Sequence, residues 1–262
     1  MPPLCLTPLS GLKCFSTVFY GSGRRGVRGK VKKNNQMQTE SIFTRFDISR
    51  TVVSQSIQVY LTPQISQYQV CNIMILSQFQ TVGYELFTRG LISSHNGNLS
   101  IRLRDRLIIT RRGCRLSSLE ENDLIETGID KNDRSTPLAS TELAVHREIY
   151  RLTPASAIIH AHPPHAIALS LTETEIVPNC TEGLEMIGRV PVLGWNMEVK
   201  PGGLEDIIAR ALTEYRIVMV HGHGSFATGQ LLEEACNYTT TLEESCQVIC
   251  LLKSLGASPT RD

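Results

Sequence analysis

Residues 158–165 read IIHAHPPH and residues 221–224 read HGHG. The first run is the end of an apolar strand stopped by Pro163 and Pro164. Side chains two apart on a strand point the same way, so His160 and His162 share one face. Two imidazoles side by side, with a third available from the distant His-Gly segment, make the arrangement a divalent metal asks for. An HxH pair alone is weak evidence, because paired strand histidines are often only half-buried polar residues. In the second run, Gly222 and Gly224 let the backbone turn tightly and aim His223 inward, while His221 reads as packing or support.

Three further segments sit where a loop meets a regular element. SHNGNLS at 94–100 places Gly97 between Asn96 and Asn98, either an ordinary Asn-Gly turn or a backbone cradle for an anion. ITRRG at 109–113 ends a strand in two arginines and Gly113; they are solvated, or they clamp a phosphate or carboxylate. LASTE at 138–142 opens a helix with Ser140 as N-cap, leaving first-turn N–H groups outward. Glu142 suits the helix dipole there, and beside a metal it would be a general base.

These segments need a scaffold, and apolar spacing outlines one. Ile75, Phe79, Val82 and Leu86 make one helix face that stops at Gly90. Strands follow at 98–103 and 106–110, joined by a tight turn at Arg104-Asp105, and then a polar loop containing Asp123 and Asp130. A helix starts at Ser140, with Leu143, His146, Ile149 and Tyr150 at helical intervals. The histidine strand at 157–162 turns back as a short helix at 164–171. Beyond it lie a strand at 190–193, a helix at 204–215, strands at 217–221 and 226–228, and a closing helix at 231–255. The continuous IVMV run at 217–220 suits a sheet covered on both faces. Neither GxGxxG nor GxxxxGK[ST] occurs, so nucleotide binding has no support.

Composition agrees with an ordinary globular domain, at 41% hydrophobic and 19% charged residues. A net charge of +1 and the lack of any apolar run of ~20 residues give no sign of a nucleic-acid or membrane partner. The eight cysteines show no CxxC and read as reduced thiols of a cytoplasmic protein. Residues 1–36 carry seven of the 26 basic groups and no acid, leaving 19 basic against 25 acidic groups in the remainder. Residues 1–70 lack sustained periodicity and read as a disordered basic extension or a start called too early, with Met37 or Met74 the true one. A transit peptide and a nucleic-acid-binding arm are the other readings of that stretch.

Taken together, the segments resemble the class II aldolase/adducin family and, within it, the fuculose-phosphate aldolase branch. The resemblance spans residues 72–256. It is carried by GNLS, a short hairpin and T-x-x-G, then S-T-E, H-x-H-P and HG-x-x-x-x-G, in that order. It implies an α/β fold: a single three-layer domain over 71–258 whose central, mostly antiparallel sheet is flanked by helices. It also implies that His160, His162 and His223 hold one catalytic Zn2+ per subunit, with Glu142 at the fourth position before it moves off as acid/base. Gly97, Asn98, Gly113, Ser140 and Thr141 match positions lining the substrate phosphate pocket.

Two positions depart from the aldolase pattern. Arg111-Arg112 stands where Pro-Thr or Pro-Ser is common, and Thr141 replaces a second serine. Arg112 strengthens phosphate binding or moves the preference to a carboxylate. The family's proton-donating tyrosine, supplied by a neighbouring subunit, has no counterpart in 176–183, and Glu182 is the candidate donor. The implied activity is that of a zinc-dependent aldehyde-lyase cleaving a phosphorylated ketose by a metal-stabilised enediolate, in a cytoplasmic homotetramer. The alternatives are a sibling epimerase, dehydratase or decarboxylase on the same metal site, and a non-catalytic adducin-like oligomerising module.

Overall fold

Strand β4 (Ala157–Ala161) is buried at all five positions, including a histidine. It pairs antiparallel on one side with β1 (Asn98–Leu103) and on the other with β8 (Gly224–Gly229). A strand so enclosed has no solvent face, which is why its sequence runs apolar instead of alternating. The computed structural model describes residues 67–194 and 203–257. Within them β2 (Arg106–Thr110), β3 (Leu124–Gly128), β5 (Glu175–Ile176), β6 (Val190–Leu193) and β7 (Ile217–Val220) complete an eight-stranded sheet in the order β3-β2-β1-β4-β8-β7-β6-β5. Every pairing is antiparallel except β6 with β7, where helix α5 (Gly203–Ala211) supplies the crossover that a parallel pair needs.

Alternation along the strands sorts the core into two layers. Leu99, Ala157, Ile159, Ala161, Ile217, Met219 and Ala227 face helices α1 (Gln67–Thr88), α3 (Pro164–Ser170) and α6 (Leu232–Ser254). Leu107, Ile109, Ile158, Val218, Val220 and Phe226 face α2 (Leu143–Leu152) and α5. The three-layer α/β arrangement with a mostly antiparallel sheet is therefore present. Parity puts His160, two residues from Ile158, on the α2 side.

Antiparallel pairing also decides where the loops fall. The start of β1, the end of β2, the end of β4, the end of β7 and the start of β8 all lie at one edge of the sheet. Four of the five chemistry-bearing segments occupy those connections, and the fifth, at 138–142, joins them through the bridge between Arg111 and Ala139, so sequence separations of tens of residues close to one place.

Several elements differ from the sequence reading. The polar loop around Asp123 and Asp130 contains β3, an edge strand whose backbone pairs with β2 alone. Strand β5 and helix α4 (Thr181–Met186) are further additions. Helix α1 begins at Gln67, and α2 begins at Leu143 with Glu142, not Ser140, in the N-cap position. The Ser140 hydroxyl instead accepts the Glu142 N–H at 3.2 Å, a local bond that turns the chain before the helix starts. Strand β4 stops at Ala161, and the His162 N–H leaves the sheet to donate to the Leu91 carbonyl at 2.7 Å. The expected N-terminal extension lies outside the described residues, apart from the first turn of α1. No described helix is long and apolar enough to cross a membrane.

Ile158 is fully buried at the centre of the sheet. Ile158→Ala is expected to cost about 2–5 kcal/mol of stability through lost burial and the cavity left behind, read from denaturant unfolding of metal-free protein.

Candidate active site

His160 sits at the end of β4, opposite Asn98 on β1 and Phe226 on β8. Its ring stacks on Phe226 with centroids 4.2 Å apart and planes 18° apart. Its Nδ1 lies 2.9 Å from the Ser225 carbonyl oxygen. A carbonyl only accepts, so Nδ1 carries the proton and Nε2 presents a lone pair. That nitrogen points at Nε2 of His162, 2.9 Å away. His223 stands in the tight turn between β7 and β8, where its N–H donates to the Val220 carbonyl at 3.0 Å. The ring centroid of His223 is 4.9 Å from that of His160 and 5.0 Å from that of His162. One ligand nitrogen from each of the three lies within 4.8 Å of the others.

The close approach depends on Gly224. A Cβ there would run into the Ala161 carbonyl oxygen and stand 3.1 Å from ring carbons of both His160 and His162. Gly97 does the same on the opposite wall: its φ is +79°, and a Cβ would lie 2.6 Å from Ile92 and 3.0 Å from the His160 carbonyl oxygen.

Burial sets the charge of the cluster. It drives the His160 pKa well below 6.5, with His162 and His223 adding to the effect, and lowers His162 to about 4, again with His223 adding to it. Both rings are therefore neutral near pH 7. A bare Nε2 facing another imidazole nitrogen needs either a proton or a shared cation between them. Three converging rings exceed what one hydrogen bond requires, and neutral imidazoles are the ligands Zn2+ takes. The residues fit a divalent metal.

The remaining wall is built by backbone pairing. The Arg112 N–H donates to the Leu138 carbonyl and the Ser140 N–H to the Thr110 carbonyl, with a bridge between Arg111 and Ala139. This antiparallel contact carries Arg112 and Gly113 beside Ser140, Thr141 and Glu142. The result is a polar cavity of about 230 Å3 lined by His160, His162, His223, Glu142, Gly97, Asn98, Arg112, Gly113, Ser140 and Thr141. Its size is below the ~300–1,000 Å3 usual for drug-sized ligands, which suits a small polar one. Glu142 lines the cavity outside the three-histidine group. Glu182 does not line it; it lies exposed in the first turn of α4.

His95, Asn96, Arg111 and Cys114 also line the cavity. The first two stand in the SHNGNLS run itself, and Arg111 and Cys114 flank Arg112 and Gly113, so adjacency was the available signal. Burial pushes the Cys114 thiol up to about 11, which keeps it protonated and unreactive. Asp123, on the far side of the predicted loop, holds Arg111 through Nε at 3.0 Å and Nη2 at 2.6 Å. Behind Phe226 lies a group in which spacing placed His146 and Tyr150 on one helix face but gave no sign of their partner Ser100. The Ser100 hydroxyl is 2.7 Å from Nδ1 of His146 and 2.8 Å from the Tyr150 hydroxyl, all in the apolar layer under α2.

Comparison with known proteins agrees with this geometry. The model of the Class II Aldolase and Adducin N-terminal domain matches residues 77–250. A 3-oxo-tetronate 4-phosphate decarboxylase of Pectobacterium atrosepticum is 30% identical over 180 residues, covering 65% of this chain and 81% of that protein. A methylthioribulose-1-phosphate dehydratase of Acidiphilium cryptum is 30% identical over 167 residues, covering 58% of this chain and 78% of its own. The crystal structure of L-fuculose-1-phosphate aldolase from Thermus thermophilus superposes with a TM-score of 0.66 at 36% identity, covering 72% of this chain and all (100%) of that one.

Two outcomes follow from the cluster and the layer behind it. Gly224→Ala should weaken binding of a divalent metal about 10–100-fold by displacing two of the imidazoles, measured by competition with a chromophoric chelator. Burial also lowers the His146 pKa from 6.5 to about 3, so between those values the unfolded chain binds more protons than the folded one. The stability this neutral ring contributes is complete above about pH 6.5 and is lost as pH falls toward 3. Unfolding free energy of metal-free protein should fall less steeply between pH 6.5 and 4 in His146→Gln than in the wild type.

Proposed function

The chain belongs to the class II aldolase and adducin N-terminal domain family, and from that premise we propose that it is a zinc-dependent aldehyde-lyase cleaving a phosphorylated ketose. The observation that carries the reading is the meeting of three converging histidines, one carboxylate and an anion-suited wall in a single small polar cavity. His160, His162 and His223 would hold the metal, which supplies a Lewis acid for negative charge developing beside the substrate carbonyl. The remaining chemistry belongs to the chain's own side chains.

Glu142 stands within the cavity but outside the histidine group, where its carboxylate would carry a proton to the carbon that loses its bond. Its backbone is set by the Ser140 hydroxyl, so the turn that orients the base also forms part of the anion wall. Ser140, Thr141, Gly97, Asn98, Gly113 and Arg112 would anchor the phosphate, converting binding at the unreactive end into positioning at the reacting one. Glu182 lies away from this cavity, so a donor role for it requires a second subunit, in keeping with a homotetramer whose active sites sit at subunit borders. A cytoplasmic setting is in keeping with the five described cysteines, none of which forms a disulfide.

A second reading is favoured by specific relatives. Proteins about equally similar to this chain are named as a decarboxylase and a dehydratase, and both names specify phosphorylated substrates. Each reaction can use a Lewis acid and a movable proton, so the same residues would serve with a different bond aligned. The intact histidine group argues against a purely structural, adducin-like role.

The deciding assay incubates the zinc-loaded chain with ketose 1-phosphates and with 3-oxo-tetronate 4-phosphate, following dihydroxyacetone phosphate and carbon dioxide. Chelator-sensitive release of dihydroxyacetone phosphate is the expected result; carbon dioxide alone would overturn the aldolase reading in favour of the decarboxylase. Glu142→Gln should lower kcat about 10²–10⁴-fold while the protein retains its zinc, as loss of an acid/base group predicts.

A further inference from the structure

Two arginines side by side border the cavity, yet their surroundings differ. The Arg111 guanidinium is taken up by Asp123, whose Oδ1 accepts from both Nε and Nη2. The Arg111 N–H also donates to the Asp123 carbonyl at 2.7 Å, and the second carboxylate oxygen of Asp123 accepts the Glu120 N–H at 3.1 Å. Asp123 is itself nearly buried, so this ion pair is braced on three sides and its charges cancel. Arg112 is exposed, lines the cavity and has no ion-pair partner among the described residues. Its backbone is pinned to Leu138, so the free guanidinium originates beside Ser140 and Thr141.

Charge accounting then separates the candidate ligands. Arg111 is balanced by Asp123. Of the two arginines, Arg112 alone has no ion-pair partner among the described residues, on a wall that Glu142 also lines. A guanidinium is always charged and offers a planar fork of donors. A phosphate monoester carries about −1.5 to −2 at neutral pH and three acceptor oxygens. It can fill that fork and still accept from the hydroxyl of Thr141 and from that of Ser140, whose oxygen already takes the Glu142 N–H but whose proton is left to donate. A carboxylate has one charge and two oxygens; filling the fork leaves the hydroxyls poorly met.

We propose that Arg112 is the specificity-determining residue of the cavity, selecting a ligand that ends in a phosphate dianion over one that ends in a carboxylate. Asp123 is a positioning residue in this scheme, acting through Arg111 to keep the second guanidinium off the ligand. The inference rests on reading the cavity as a sugar-phosphate site, but its test needs no turnover.

Inorganic phosphate and acetate are titrated calorimetrically into the zinc-loaded full chain, its Arg112→Ser and Arg112→Lys variants, and Asp123→Asn. Loss of a charge-assisted bidentate contact should raise the phosphate Kd about 10–100-fold in Arg112→Ser, with Arg112→Lys between it and wild type and the acetate Kd moving less. Asp123→Asn frees Arg111 and should tighten phosphate binding; a merely structural role for Asp123 would weaken it. Where Asp123→Asn fails to fold, the double variant Arg111→Gln/Asp123→Asn replaces it, and a phosphate Kd within about three-fold of wild type supports the scheme. A loss in that double variant as large as in Arg112→Ser would overturn it. A phosphate Kd in Arg112→Ser within two-fold of wild type, or equal weakening of phosphate and acetate, would overturn the role of Arg112. Phosphate selection without cleavage of any sugar phosphate would sink the proposed reaction and leave this assignment standing.

Discussion

Burying an imidazole in a sheet that is covered on both faces is the constraint on which the site depends. At the end of β4, His160 is buried, with Phe226 stacked on its ring and Asn98 opposite it on β1. A charged ring there would be strongly disfavoured, so the ring is neutral, and one nitrogen must find an acceptor while the other keeps a lone pair. The Ser225 carbonyl supplies the acceptor, fixing the tautomer, and the stack on Phe226 fixes the plane. What is left is one lone pair in one direction, directed at His162. Metal-ligand character is thus a consequence of burial and topology before any metal is considered.

The same topology explains why residues from five chain segments converge. In an antiparallel sheet the end of one strand adjoins the start of its partner, so a run of such pairs brings alternate connections to a common edge. Here β2, β1, β4, β8 and β7 make that run, and each connection at the edge carries part of the cavity. Strand β6, paired parallel with β7, lies beyond it and carries none of the candidate ligands. Two glycines are the local condition for closure: Gly97 and Gly224 stand where backbone or imidazole comes too near for a side chain. Replacing Gly224 would alter the site without changing any residue that lines the cavity.

How much of this was legible in the sequence follows from whether a residue's role is local. The histidine group rested on two short-range facts, strand parity and a Gly-rich turn, and both are visible in a run of a few residues. The buried strands β4 and β7 announced themselves as apolar runs. Strand β3 did not, because Glu126 faces solvent and acidic residues crowd both flanks; its identity as a strand comes from pairing with β2. Ser140 looked like an N-cap on type alone, but its hydroxyl turns back to Glu142 and leaves that residue to start the helix. The Ser100–His146–Tyr150 group and the Arg111–Asp123 pair were invisible for a plainer reason. Each depends on partners at least 12 residues apart whose types, taken singly, suit a solvated surface as well as a core.

The resemblance identified the chemistry more readily than the reaction, and the geometry gives a reason. A Lewis acid and a carboxylate beside one carbonyl can assist cleavage, decarboxylation or dehydration, because all three develop negative charge next to that carbonyl. Which bond breaks is decided by which one is held in line with the carbonyl's π system, and near-attack geometry is set to within fractions of an ångström. In the proposed substrate, the phosphate end is the handle that would set this alignment. A serine or threonine hydroxyl holds a phosphate on a short arm; Arg112 would hold it on a long one that is fixed at its backbone and free at its tip. A change at the anchoring end therefore shifts the reacting carbons along the cavity while every catalytic group stays in place. On that argument the reaction of this chain is encoded less in the histidines it shares with its family than in the arginine where it departs from it.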